Sequence, residues 1–267
     1  MPLTSDELQQ RLAHAVEWAR EAGELILGDY RSAGLRVDRK ADASPVTAAD
    51  RNAERLLRER VAAAYPRDGF LGEEHGEKEA ENGLRWIVDP IDGTKAFVAG
   101  VPMFGTLIGL EAGGEVLMGV CRFPALNEVM YAANGCGAHC QIGDEEPATI
   151  RVSGTATMPE ALFCYTEVDL FRETGRMDAF HALQRQSRAA RGWGDCYGHM
   201  LVATGRAEFI ADPLMNAWDA AALVPILREA GGSLTAWNGE ETIYGGDGVS
   251  VNAALKDAVL AVLRGAE

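Results

Sequence analysis

The stretch Trp86-Ile87-Val88-Asp89-Pro90-Ile91-Asp92-Gly93-Thr94-Lys95 constrains this chain most tightly. It begins as an apolar run of the kind that ends a buried strand. Two carboxylates, a proline, a glycine and a hydroxyl follow at once. Pro90 disfavours helix at Asp89 and fixes its own φ, so the chain is expected to leave the strand there in a defined bend. Gly93 lets a bound group approach the backbone. Thr94 is expected to N-cap a short helix, Lys95 to Val98, with Gly100 as its stop. Two acids beside a helix N-terminus make a place where a metal ion and a phosphate can meet. The same residues also read as an ordinary strand–turn–helix with capping acids, and this segment alone does not separate the two.

The rest of the chain narrows the setting. A length of 267 residues suffices for one large domain or two coupled halves. A formal charge of −15 argues against nucleic-acid binding, because phosphate backbones are held by Lys and Arg. It also makes an anionic substrate awkward unless metal cations offset the local field. The start of the chain, Met1 to Glu7, lacks the basic and apolar regions of a signal peptide. No apolar run reaches membrane-spanning length, so the expected location is the cytoplasm, with no membrane partner. The five cysteines, Cys121, Cys136, Cys140, Cys164 and Cys196, are expected as free thiols. Cys136 and Cys140 flank His139 but lack the second ligand pair that structural zinc needs.

Thr4 with Glu7 forms a capping-box pattern, opening a first helix that runs to about Leu27. Val37 to Lys40 reads as extended. Ser44-Pro45-Val46-Thr47-Ala48-Ala49-Asp50 enters a second helix, again capped by Thr47 with Asp50 and stopped by Pro66. On its wet side Glu54 pairs with Arg58, and Arg55 with Glu59, at i,i+4 spacing. Lys40 reads either as a partner for a metal-bound water or as a solvated side chain. Thr106 to Glu111, Val116 to Phe123 and Val129 to Ala133 read as an antiparallel meander. Beyond Leu162 strands and helices alternate: helices at Gly175 to Gln186, Cys196 to Thr204, Ala217 to Ala230 and Ala254 to Leu263, with short strands between them. That pattern points to an α/β layer, and Pro225 is expected to kink its helix.

Four places begin or end an element with a carboxylate: Asp50, Glu73, the Asp89/Asp92 pair and Asp219. An oxygen-only donor set selects hard cations, Mg²⁺ first, with Mn²⁺ or Ca²⁺ behind. Two such ions can activate a water and stabilise the leaving oxygen of a phosphate ester. Each acid also reads as a helix cap or solvated turn, and for Asp50 and Asp219 the cap explanation is complete in itself. An Asp-x-Asp-Gly-Thr sequence would suggest an aspartyl-phosphate nucleophile. Here the acids are three apart, a spacing that does not put both on one side of an extended chain, so the covalent route is set aside.

Taken together, Gly72-Glu73-Glu74, Asp89-Pro90-Ile91-Asp92-Gly93-Thr94, Trp218-Asp219-Ala220-Ala221 and Ala230-Gly231-Gly232 resemble the inositol monophosphatase superfamily. Ser44 to Asp50, Gly72-Glu73-Glu74-His75-Gly76, Phe104 to Leu110 and Gly194-Asp195-Cys196-Tyr197 are most similar to its histidinol-phosphatase branch. The resemblance spans nearly the whole chain. It implies a layered αβαβα sandwich, with residues 1–145 as an α+β half carrying most metal ligands and 146–267 as an α/β half, the two forming one catalytic unit. It implies Glu73, Asp89 and the Ile91 carbonyl as ligands of one metal, and Asp89, Asp92 and Asp219 as ligands of a second. A third Mg²⁺ would sit near Glu73, Mn²⁺ being a substitute. Thr94 with Asp50 would position and deprotonate the water, with Glu73 in a catalytic role through the third metal. Asp92 and the N–H groups of Gly93 and Thr94 would bind the phosphate end of the substrate. The implied assembly is a homodimer, often lithium-sensitive, acting on a small phosphorylated metabolite.

The implied reaction is hydrolysis of histidinol phosphate by direct attack of metal-activated water. Asp195 and Asp212 fall where the family contacts the rest of the substrate. At Asp195 a carboxylate suits a cationic amine, yet it equally reads as the cap of the helix starting at Cys196. Inositol-1-monophosphatase or a broad sugar or nucleotide phosphomonoesterase is the alternative enzyme. A catalytically silent metal-binding interaction protein is the alternative that is not one. His199, close to Asp195, and the aromatics Trp193, Tyr197 and Trp218 are pocket candidates.

Overall fold

The computed structural model describes residues 3–39 and 45–265. Lys40 and the approach to Asp50 at Asp42 to Ser44 lie outside the described residues. Helix α1 (Ser5–Asp29) opens with the expected capping box: Glu7 N–H donates to Thr4 Oγ1, and Thr4 N–H donates to the Glu7 carboxylate. It runs past Leu27 and buries Ala15, Trp18, Ala19, Ala22 and Ile26 along one stripe. Strand β1 (Val37–Arg39) pairs antiparallel with β2 (Pro45–Thr47), which passes directly into α2 (Ala48–Ala64) through the second capping box, Thr47 with Asp50. The wet-side pairs expected on α2 are not both realised. Glu54 does meet Arg58, at 3.3 Å, but from a fully buried position, whereas Arg55 donates to Asn52 rather than reaching Glu59.

Seven further strands and a short helix follow: β3 (Gly69–Gly72), β4 (Gly76–Lys78), β5 (Leu84–Asp92), α3 (Thr94–Ala99), β6 (Gly105–Ala112), β7 (Glu115–Phe123), β8 (Glu128–Ala133) and β9 (Ala138–Ile142). With β10 (Ala148–Thr149) they form an eight-stranded sheet ordered β10-β9-β8-β7-β6-β5-β3-β4. The expected meander is its β6-β7-β8 part, and β3 alongside β5 is its parallel pair. The remainder runs β11 (Leu162–Cys164), α4 (Val168–Glu173), α5 (Met177–Gln186), β12 (Ala189–Arg191), α6 (Asp195–Ala203), β13 (Phe209–Asp212), α7 (Ala217–Ala221), α8 (Leu223–Glu229), β14 (Gly232–Thr235), β15 (Gly248–Asn252) and α9 (Lys256–Gly265). Its five strands order as β12-β11-β13-β15-β14, parallel through β12, β11 and β13 and antiparallel beyond.

Three apolar clusters stack these elements into layers. Outermost, Trp18 and Ala22 of α1 and Leu57 of α2 pack on Trp86, Val88 and Ile108 of the large sheet. Between the sheets, Met200 of α6 and Leu223 and Ile226 of α8 bridge Ile87 and Leu107 to Ile210 and Leu234. On the far face, Phe180 and Leu183 of α5 and Leu260 of α9 cover Phe163, Phe209 and Val251. The architecture is the expected αβαβα sandwich. Neither sheet closes its core alone, because the middle helices give side chains to both. Among the described residues no helix is long and apolar enough to cross a membrane, and all five cysteines are free.

The helix expected over Ala217 to Ala230 is two helices meeting at Ala222, whose own dihedrals stay helical. Pro225 has no N–H for the Ala221 carbonyl, so the hydrogen-bond ladder is interrupted just before it. The freed junction presses on the large sheet so closely that a Cβ at Gly119 would lie 1.9 Å from the Ala222 carbonyl oxygen. Gly119→Ala is therefore expected to cost about 2–3 kcal/mol or more through overpacking. Thermal unfolding should show a Tm lower by roughly 4–12 °C; an unchanged Tm would mean that this contact yields freely.

Candidate active site

Strand β5 does not end at Pro90. It continues to Asp92, and its pairing with β6 shifts between Asp89, opposite Leu107, and Asp92, opposite Gly105. Three steps on β5 match two on β6, which is a β-bulge. Residues three apart on a regular strand face opposite sides; the extra residue cancels that alternation and turns Asp89 and Asp92 the same way. The bend expected at Pro90 and the alternation used against a shared face are both corrected by this bulge. Proline fits it because no ladder donor is needed there. The Pro90 carbonyl accepts the Thr106 hydroxyl at 2.8 Å, and Asp89 Oδ1 accepts the Ile91 N–H at 2.9 Å.

Carboxylate oxygens of Asp89, Asp92 and Asp219 all lie within 4.8 Å of one another. Asp219 arrives from the first turn of α7, where its Oδ2 accepts the Asn216 N–H at 2.7 Å and side-chain amide at 3.2 Å. The cap and the cluster are thus served by one side chain. Glu73 follows β3, with its N–H on the Val88 carbonyl at 3.3 Å, and lines the same cleft of about 660 Å³. Burial pushes Asp89 well above the carboxylate range, reinforced by Glu73, Asp92 and Asp219. Asp92 is raised by burial and then by Asp195 and Asp219, against the N–H and thiol of Cys196. Asp219 is pushed up to about 7, chiefly by burial, with the Asn216 hydrogen bonds opposing. Close, oxygen-only acids that resist ionisation side by side are a donor set suited to hard divalent cations.

Thr94 is not a cap. Gly93 occupies that position at φ 82°, and Thr94 is the first residue of α3. Its hydroxyl lies 3.0 Å from the Ile91 carbonyl and 3.4 Å from Asp50 Oδ1. Asp50 is fully buried, and its other oxygen takes the Thr47 N–H at 2.8 Å and hydroxyl at 2.6 Å. Here again a capping acid also faces the site. A Cβ on Gly93 would meet the Met103 carbonyl at 2.9 Å and Asp195 at 3.3 Å.

Beyond Asp92 and Asp219 the cleft opens into a side pocket of about 90 Å³ bordered by Asp195, His199 and Asp212. Asp195 does not cap α6. Gly194 does, and Asp195 sits at φ 50°, its N–H donating to the Thr166 hydroxyl at 2.9 Å. A Cβ on Gly194 would lie 2.1 Å from Thr166 Cα, so glycine is required for this approach. Burial first, then the charge of Asp212, pushes Asp195 up to about 7, with Lys95 opposing. Asp212 is held at both oxygens, by the Thr166 N–H at 3.2 Å and His199 Nε2 at 3.0 Å. His199 Nδ1 lies 2.6 Å from the Ser250 hydroxyl. His199, left undirected by the sequence, is buried between them; its place four residues after Asp195 on one helix face was the available signal. Trp193, Tyr197 and Trp218 border neither the cleft nor the side pocket.

Residues 7–266 match the model of the inositol monophosphatase family. A histidinol-phosphatase of Chlorobaculum parvum is 42% identical over 254 residues, covering 95% of this chain and 96% of its own. Another, from Mycobacterium tuberculosis, is 38% identical over 258 residues, 97% of this chain and 98% of its own. The crystal structure of extragenic suppressor protein suhB from Bartonella henselae aligns with a TM-score of 0.86 at 28% identity, covering 96% of this chain and 98% of that one. With the fold, the acid cluster and full-length similarity agreeing, the chain belongs to the inositol monophosphatase family of phosphoric monoester hydrolases.

Proposed function

We propose that this phosphomonoesterase is Mg²⁺-dependent and hydrolyses histidinol phosphate to histidinol and phosphate, as a cytoplasmic homodimer. Glu73, Asp89, Asp92, Asp219 and the Ile91 carbonyl would hold the cations. The chemistry supplied at that site by bound divalent cations would be activation of a water and neutralisation of the phosphate. Their need follows from the cleft, where acids far outnumber Arg39 and Lys95. Asp50 Oδ1 takes the proton of the Thr94 hydroxyl as that hydroxyl receives one from the attacking water. N–H groups at Gly93 and Thr94 orient the phosphate. With Asp89 and Asp92 committed to cation binding, water attacks phosphorus directly and no acyl phosphate forms.

The observation that carries the substrate assignment is the second acidic pair, Asp195 and Asp212, set in the side pocket away from the bulge. Asp212 raises Asp195, a repulsion that a cation between them relieves. The ammonium of histidinol would supply that cation in a pocket also lined by Leu170, Leu214 and Met215. A neutral inositol ring would bring no positive charge to this pair, which is why inositol monophosphate is the second reading. The names of the two similar histidinol-phosphatases support the first.

Three outcomes test this reading. Asp89→Asn should lower Mg²⁺-dependent kcat by about 100-fold or more, the scale of losing a main electrostatic contact in a transition state; near-normal turnover would remove Asp89 from the cation site. In a parallel assay, kcat/KM should favour histidinol phosphate over inositol monophosphate. Asp195→Asn should reduce the former by roughly 10- to 100-fold, the value of a charge-assisted hydrogen bond, and leave the latter within a few-fold; the opposite preference would refute the assignment. The third concerns pH. Asp195 and Asp219 titrate near 7 in the fold but near 4 when unfolded, so the native state holds the extra protons between those values. Stability without metal should therefore fall as pH rises from about 4 to about 7. Mg²⁺, which takes the ionised form, should raise Tm more at pH 8 than at pH 5; equal shifts in thermal unfolding at both would contradict the cluster as its site.

A further inference from the structure

Glu54 lies one turn after Asp50 on α2 and is fully buried, an unusual place for a carboxylate. It is enclosed by the turn between β3 and β4. The N–H of Glu74 donates to its Oε2 at 2.6 Å, and the N–H of His75 to its Oε1 at 3.0 Å. His75 Nδ1 stands 3.3 Å from Oε1, and since a carboxylate only accepts, the ring donates here. Arg58 approaches Oε1 at 3.3 Å, donates to the Gly76 carbonyl at 2.7 Å and lies over the Phe70 ring. A Cβ on Gly72 would fall 2.3 Å from the Glu54 carboxyl, so this strand can come so close only as glycine.

Glu73 sits between two anchors. Its own N–H is tied to Val88, the residue before Asp89, and the next two N–H groups are tied to Glu54. We propose that Glu54 is a positioning residue that sets Glu73 against the Asp89 cluster for cation binding. The inference rests on the reading of Glu73 as a metal ligand. For stability alone a short polar residue could cap the turn, without burying a carboxylate that needs Arg58 and His75 beside it. What a rigid anion inside the turn adds is direction, because backbone donors on both sides of its carboxylate fix where the preceding side chain starts. One face of α2 thereby aligns two parts of the site, Asp50 against Thr94 and Glu54 behind Glu73.

The test is Mn²⁺ binding to the metal-free full-length protein, followed by electron paramagnetic resonance, with far-UV circular dichroism and thermal unfolding as fold controls. Glu54→Gln, which keeps size but turns an amide donor toward backbone donors, should weaken Mn²⁺ binding by about 10- to 100-fold. The Mg²⁺ concentration for half-maximal activity should rise by a similar factor, while KM at saturating Mg²⁺ stays within about twofold. A folded Glu54→Gln with wild-type Mn²⁺ affinity overturns the proposal. If that variant does not fold, Glu54→Asp decides, since it keeps the charge but withdraws it from the turn by one methylene. Weakened Mn²⁺ binding supports the proposal, and wild-type affinity overturns it. Glu73→Gln separates the two levels. If it leaves Mn²⁺ binding unchanged, Glu73 is no ligand and the site reading fails. If it weakens binding while folded Glu54 variants do not, only the positioning role falls.

Discussion

Repulsion among carboxylates that the fold forces together governs the rest of this structure. Two unit charges about 5 Å apart repel by roughly 3 kcal/mol at the effective dielectric of a partly buried site. Asp89, Asp92 and Asp219 are that close, and Asp195 adds its field from the side pocket. Each has a raised pKa, with burial the first cause and neighbouring carboxylates adding to it, although at Asp219 hydrogen bonds with Asn216 and Asp89 oppose the rise. Side chains free to rotate would swing apart into water. These cannot, because each is fastened by a backbone device: the Asp89 oxygen by the bulge N–H of Ile91, Asp219 by its cap on Asn216, and Asp92 by the N–H of Cys196 at 2.5 Å.

Holding such a cluster requires a frame that does not yield, and the layering supplies it. The cluster lies where β5, α6 and α7 meet, with close-packed apolar layers behind it on both sides. At the tightest crossings there is no room for a side chain. Gly119 meets the α7–α8 junction, Gly194 meets Thr166, and Gly72 meets Glu54. Interiors packed this densely transmit displacement rather than absorb it, so a shift in a middle helix would reach the acids.

Much of this was legible in the sequence where local chemistry decides the outcome. Both capping boxes, at Thr4 and Thr47, follow from short-range hydrogen bonding and appear as read. So does the antiparallel run from Thr106 to Ala133, whose alternation and turn residues are contained within it. The failures share a cause, which is tertiary context overriding a local rule. Strand alternation separated Asp89 from Asp92 until the bulge, set by pairing with β6, reversed it. The i,i+4 rule paired Glu54 with Arg58 correctly but put it in water, although a turn about twenty residues on needed its oxygens. Asp195 looked like a cap, but the approach of Gly194 to Thr166 moved the cap one residue earlier and left Asp195 in the left-handed region. Acid residue types announced the cluster; their directions came from contacts far away in sequence.

The same electrostatics explain why the cleft has two acidic ends. Cations held by the bulge cluster would turn that end positive, which a phosphate needs. They would not reach the side pocket, where Asp212 has the Thr166 N–H and His199 as partners from the pocket wall. Thr166 joins the pair directly, donating its N–H to Asp212 while its hydroxyl accepts the Asp195 N–H. The Asp195 backbone and the Asp212 carboxylate are thus both tied to one residue. A substrate with an anion at one end and an amine at the other matches both fields at once. A neutral polyol phosphate matches only the first, and brings no charge to the second.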